Sequence, residues 1–102
     1  MRKRRRNSPD IEGKLSDHSL WRSSYFRKGH RADFSDADVS GSDFQGLDLS
    51  GARFQNANMR DSNLIDTIFH GANLQGADLS GATMFDTVFR RVELSVFGGW
   101  TL

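Results

Sequence analysis

The sequence predicts an all-β solenoid, a chain wound into coils of four short walls, with a short helix closing its start. Three observations carry that reading. An apolar residue recurs at every fifth position from Phe34 to Leu94. A small residue usually stands two positions before it, and glycine, aspartate or asparagine two positions after it. Neither a helix, with 3.6 residues per turn, nor an ordinary strand, with period two, repeats every five residues.

In steps of five, Ala32 to Val96 reads ADFSD ADVSG SDFQG LDLSG ARFQN ANMRD SNLID TIFHG ANLQG ADLSG ATMFD TVFRR VELSV, 13 units with no insertion. The third position is apolar in all 13, and 36% of the chain is apolar. Random placement in one fixed register would give that about 2 times in a million, so a repeat architecture is the better reading. The first position is Ala, Ser or Thr except at Leu47 and Val92. The second is polar except at Ile68 and Val88. The fifth is Gly, Asp or Asn except at Arg91 and Val96.

Each preference has a physical cause. A large and a small residue two apart share one face of an extended segment. Gly, Asp and Asn tolerate the backbone angles of a turn. Each unit is therefore a very short strand and a corner. Near-right-angled corners close a coil after about four units, or roughly 20 residues. Thirteen units make about three and a quarter coils. Residues 20 apart then stack inside the lumen, Phe34/Phe54/Leu74/Leu94 on one wall and Leu49/Phe69/Phe89 on another. The only proline is Pro9, outside the repeats, which leaves every repeat N–H free to bond between coils.

The units "ANLQG" and "ADLSG" match A(D/N)LXX in full, and the series resembles the pentapeptide-repeat family over 65 of the 102 residues. The resemblance implies a right-handed quadrilateral β-helix with first and third positions inward. It also implies a protein without catalytic activity, used as an interaction scaffold. Some members, the quinolone-resistance pentapeptide-repeat proteins, present an acidic rod to gyrase in place of duplex DNA, so a DNA-mimic inhibitor or protector of gyrase or another topoisomerase is a second expectation. Three and a quarter coils give only about 15 Å of rod, less than half a turn of duplex.

The flanks divide the rest of the chain. Residues 1–31 hold ten Lys/Arg against three Asp/Glu, and residues 32–102 hold four Arg against ten Asp/Glu. A basic arm thus precedes an acidic body. Residues 1–15 lack apolar periodicity and are expected to be disordered. Residues 16–31 are the expected N-terminal cap, with a helix in "DHSLWRSSYFRK" (17–28), Ser16 or Asp17 at its start and Gly29 at its end. Trp21 and Tyr25, four apart, with Leu20 and Phe26, form its apolar face. Residues 97–102, "FGGWTL", are the other cap or an end-to-end dimer contact through Phe97, Trp100 and Leu102.

Little in the sequence points to reaction chemistry. There is no cysteine, and the three histidines do not cluster. His18 and His30 belong to the cap region, and His70 takes an outward position. Asp33, Asp38, Asp43 and Asp48 fall on four different walls, which suits solubility rather than a metal cage or an acid–base pair. The glycines lie at corners, not in a phosphate-binding spacing. No enzyme activity, metal, cofactor or small-molecule substrate is expected. No apolar run is long enough to span a membrane, and no signal-peptide core follows "MRKRRR", so the chain is expected in the cytoplasm.

The informative departures are apolar. Ile65 and Phe85 occupy outward fourth positions, and Ile68 and Val88 outward second positions. Each pair is 20 apart, so the four form one edge on adjacent coils. That edge is the expected contact with another protein or with a second copy. The run Arg2, Lys3, Arg4, Arg5 and Arg6 offers a third expectation, weak charge-driven tethering to nucleic acid or another anionic surface.

Overall fold

A computed structural model describes residues 10–97, the last four by backbone alone. From residue 33 onward, parallel backbone bridges join residues 20 apart: Asp33 to Arg53, Asp38 to Asn58, Asp43 to Asn63, Asp48 to Ile68, and onward to Ile68 with Val88. Four successive units thus complete one coil, and each unit lies directly over the unit four before it.

Continuous strand pairing is rarer than an all-β description implies. Among the described residues it is confined to β1 (Asn73–Asp78) and β2 (Glu93–Phe97), which are parallel, with Leu74 in register with Leu94. Elsewhere each unit contributes a single bridge at its second position. The corner limits the pairing in most units, and where β1 runs through the corner at Gly76 the register is irregular between Gln75 and Asp78.

Every corner has the same backbone signature. The fifth residue of each unit from Asp36 to Arg91 has positive φ, between 55° and 77°. Gly, Asn and Asp reach this left-handed region most cheaply, which explains their dominance there. Arg91, a departure from the sequence rule, adopts it as well, at 55°. The first N–H of the next unit closes the turn, as Ala37 N donates to the Phe34 carbonyl at 3.1 Å and Ala52 N to the Leu49 carbonyl at 3.0 Å. A four-residue turn with positive φ at its third residue meets the requirement of type II.

The remaining amides of a unit are satisfied in a fixed pattern. Phe34 N donates to the Arg53 carbonyl at 2.7 Å and Asp36 N to the Gln55 carbonyl at 2.8 Å, both one coil on. Arg53 N donates back to the Ala32 carbonyl at 2.9 Å. The fourth amide is served inside the unit, because Asp33 Oδ1 accepts from Ser35 N at 2.9 Å. The same bond recurs from Asp43 to Gln45, Asn58 to Arg60, Asn63 to Ile65 and Asn73 to Gln75. The polar second position is therefore a structural acceptor as well as a solvated side chain.

The lumen holds the core. Third-position side chains from Phe34 to Leu79 are buried, with the small first-position side chains between them. Phe34 stacks on Phe54 with centroids 5.1 Å apart, and Phe69 on Phe89 at 5.5 Å, as the 20-residue column requires. Edge contacts from Phe54 to Phe44 and Phe69 tie the columns together. At three first positions a hydroxyl donates to a backbone carbonyl: Thr67 to Phe44 at 2.8 Å, Ser62 to Met59 at 2.7 Å and Thr87 to Leu64 at 2.6 Å.

The helix α1 runs over Ile11–Ser23, capped by Asp10, whose carboxylate accepts from Gly13 N at 3.1 Å. This corrects the expected boundaries. Residues 11–15 belong to the helix rather than to a disordered arm, Asp17 is internal to it, and the helix ends six residues before Gly29. The side chains at spacing i, i+4, i+7 that meet the core end are Ile11, Leu15 and His18, with Ile11 and Leu15 packed on the core cluster and His18 buried. His18 is polar, so apolar counting misses that face.

The corners generate a stability prediction. A Cβ at Gly46 (φ 73°) meets nothing within 4 Å, whereas one at Gly76 (φ 74°) collides with the Asn56 side-chain oxygen of the neighbouring coil. Gly46→Ala is expected to cost about 1 kcal/mol, the left-handed conformation alone. Gly76→Ala must also push aside the exposed Asn56 side chain and is expected to cost somewhat more, about 1.5 kcal/mol. Urea unfolding of both variants reads the difference.

Candidate functional site

The apolar edge is assembled as its 20-residue spacing requires. Asp66 N donates to the Phe85 carbonyl at 2.9 Å, which sets Ile65 beside Phe85, and Ile68 bridges Val88 directly. Phe85 is 68% exposed and Ile68 37%, while Ile65 and Val88 are half-buried. One coil earlier the same columns carry Gln45 and Asp48, so the patch is confined to two coils.

Ile68 and Val88 also lack something. Second-position Asp or Asn accepts the N–H two residues on, and neither Ile nor Val has an oxygen to offer. These two positions exchange a local backbone acceptor for surface hydrocarbon. Arg53, Thr83 and Glu93 are not Asp or Asn either, but they remain polar.

The N-terminal end is organised by His18. Its Nδ1 accepts from Ala32 N at 2.9 Å, joining α1 to the first residue of the repeat. Its ring is 1% exposed and lies 5.3 Å from the Trp21 ring. Among the described residues its Nε2 makes no hydrogen bond of good geometry. Burial holds its pKa below the ordinary 6.5, against the opposing influence of the Ser50 backbone and the Asp48 carboxylate, and the Arg22 and Arg31 charges lower it further. Arg22 reaches Asp48 at 3.6 Å, and Lys14 lies 5.9 Å from the Phe34 ring centroid.

The expected lid residues divide. Trp21 is half-buried, and a Cβ added at Gly51 would touch its ring at 3.4 Å. Tyr25 does not cover the first coil: it is 83% exposed, with Leu20 at 44% and Phe26 at 58%. The helix stops at Ser23, and the following turn throws Tyr25 and Phe26 outward. The Phe97 side chain, Trp100 and Leu102 lie outside the described residues, as do Arg2, Lys3, Arg4, Arg5 and Arg6. His18 is the residue that sequence reasoning missed, and its signal is the spacing from Ile11 and Leu15.

The second-position carboxylates have a defined electrostatic state. Hydrogen bonds from Ser35 hold Asp33 below the ordinary carboxylate value, and those from Ser80 do the same for Asp78. At Asp48 burial pulls the other way, but the Ser50 hydrogen bonds, Arg22 and His18 prevail and its pKa is also lowered. Among the described residues no three His, Asp or Glu side chains converge as metal ligands would. No described helix is long and apolar enough to cross a membrane.

A family model for pentapeptide repeats matches the chain in 8 copies, over residues 32–71, 48–84 and 67–95. The chain belongs to the pentapeptide-repeat family. That membership makes its solenoid a right-handed β-helix, in a family that is typically non-enzymatic. Among solved structures it is similar to a pentapeptide-repeat protein of the Arabidopsis thaliana thylakoid lumen, at 24% identity and a TM-score of 0.33. The match covers 62% of this chain and 61% of that one, so the chain spans about six tenths of its length. No curated protein matches the sequence.

The buried histidine of this pentapeptide-repeat protein gives a pH prediction. With its pKa lowered in the folded state, His18 binds fewer protons folded than unfolded. Its contribution is full above about 6.5 and is lost as the pH falls through the folded value. The aspartates behave alike at lower pH, with stability present above about 3.9 and lost below it. Acid titration followed by Trp21 fluorescence in a Trp100→Phe background should therefore show an early step near the helix before global unfolding. In His18→Gln that early step should be absent.

Proposed function

We propose that this pentapeptide-repeat protein is a binding module whose contact surface is the Ile65/Ile68/Phe85/Val88 edge. In this reading about three and a quarter coils form a rigid body, α1 closes the N-terminal end, and no reaction takes place on it. The observation that carries the proposal is at the second positions. Ile68 and Val88 forgo the side-chain acceptor that most units supply, yet Ile68 gains little burial in return. Phe85 beside them leaves 68% of its surface in water. Exposed apolar side chains that stack on adjacent coils form a continuous patch, and such patches mark contact sites.

Sedimentation equilibrium of the wild type beside an Ile65→Ser/Phe85→Ser double variant tests this, with circular dichroism to verify that both are folded. If the edge joins two copies, the wild type associates and the variant is monomeric. If it serves a different protein, both are monomeric, and a partner captured by the wild type is lost by the variant. An assembly or a captured partner unaffected by the double substitution contradicts the assignment.

A further inference from the structure

The N-terminal end carries a second apolar surface that the fold itself does not use. Phe26 N donates to the Trp21 carbonyl at 2.7 Å and Tyr25 N to the Arg22 carbonyl at 3.2 Å. This pair of bonds is a Schellman end, which requires a left-handed residue just past the helix cap. Glycine or asparagine is the economical choice there. This chain has Tyr25 at φ 56°, followed by Phe26 at φ 71°. Phe26 packs on Trp21 with centroids 4.5 Å apart. Tyr25 packs on far less, being 83% exposed. A bulky aromatic in a conformation unfavourable to it, with almost no burial in return, suggests a partner outside the chain.

The surroundings define that partner's chemistry. Leu20, 44% exposed, lies on the same last turn of the helix. Arg27 and Lys28 follow Phe26 directly and are exposed, and Arg31 stacks over Trp21 at 5.2 Å. Beyond the helix lies the acidic solenoid, with ten carboxylates against four arginines over residues 32–102. Along the sequence the charge is polarised, positive over residues 1–31 and negative over residues 32–102.

We infer that this end docks on an anionic lipid surface. Leu20, Tyr25 and Phe26 enter the interfacial layer, and Arg27 and Lys28 lie among the headgroups. Hydrocarbon and aromatic side chains at a tip, flanked by cations, form the arrangement that interfacial binding uses. Repulsion of the acidic repeats from the same surface sets the solenoid end-on. Single-stranded nucleic acid fits less well. Successive bases need successive open rings, but one face of Phe26 is taken by Trp21, and Leu20 offers no ring. This inference does not depend on the apolar edge of the repeats.

The test is co-sedimentation of the full chain with phosphatidylcholine vesicles, with and without phosphatidylserine, at low and high salt. Tyr25→Gly is the informative variant because glycine suits the left-handed position and keeps the helix end intact, as circular dichroism would verify. The wild type is expected to bind only the anionic vesicles, about tenfold more weakly at high salt. Tyr25→Gly and Leu20→Ser are each expected to weaken binding about fivefold with their charge unchanged. Failure of the folded wild type to bind anionic vesicles overturns the inference. So does wild-type binding by both variants, because charge alone would then suffice. Tighter, Tyr25-dependent binding of a short oligothymidylate would overturn it in favour of nucleic acid.

Discussion

One constraint underlies the rest of this structure: each five-residue unit must satisfy five backbone N–H groups while turning a corner. The left-handed fifth residue makes the turn, and its own amide reaches the next coil. The first amide closes the turn, the second and third bond between coils, and in the units with Asp or Asn at the second position the fourth is served by that side chain. A buried backbone donor left without a partner is costly, and here few are left to chance. The sequence rule at positions two and five is the side-chain record of that arrangement.

The narrow lumen follows from the same geometry. Two inward side chains per wall leave room for one large residue and one small one, so a modest apolar content suffices for a continuous core. The phenylalanines stack at the coil spacing, Phe34 on Phe54 and Phe69 on Phe89. The first coil has no coil before it, and α1 lies there instead. The attachment is partly polar: the His18 ring accepts the Ala32 amide, which opens the repeat. Because this contact needs the imidazole neutral, the helix is the part of the molecule most responsive to mild acid.

The repeat was legible in the sequence because its rules are local. Position three had to be apolar, position one small, position five able to turn, and the 20-residue columns followed by counting. Even Arg91, which breaks the composition rule, obeys the backbone rule. The bounds of α1 were less legible because they depend on tertiary contacts. Ile11 and Leu15 are weak signals until His18 is counted with them, and His18 reads as polar until Ala32 N is seen to donate to it. Tyr25 misleads in the opposite sense. Four residues after Trp21 it looks like part of an apolar helix face, but the helix has ended and the turn points it outward. The apolar edge was visible as four exceptions to the pattern. That Ile68 and Val88 also give up an acceptor becomes clear only when the role of the second-position oxygen is known.

Amide hydrogen exchange, read residue by residue, reports how each unit satisfies its five N–H groups. Slow exchange is expected with a period of five, strongest at third- and fifth-position amides such as those of Phe54 and Asn56, which bond between coils. Fourth-position amides should divide by the residue two before them. Gln45 and Gln75, served by Asp43 and Asn73, should be slower than His70 and Arg90, which follow Ile68 and Val88. Protection without a five-residue period, or equal exchange at all four of these fourth-position amides, would contradict that arrangement.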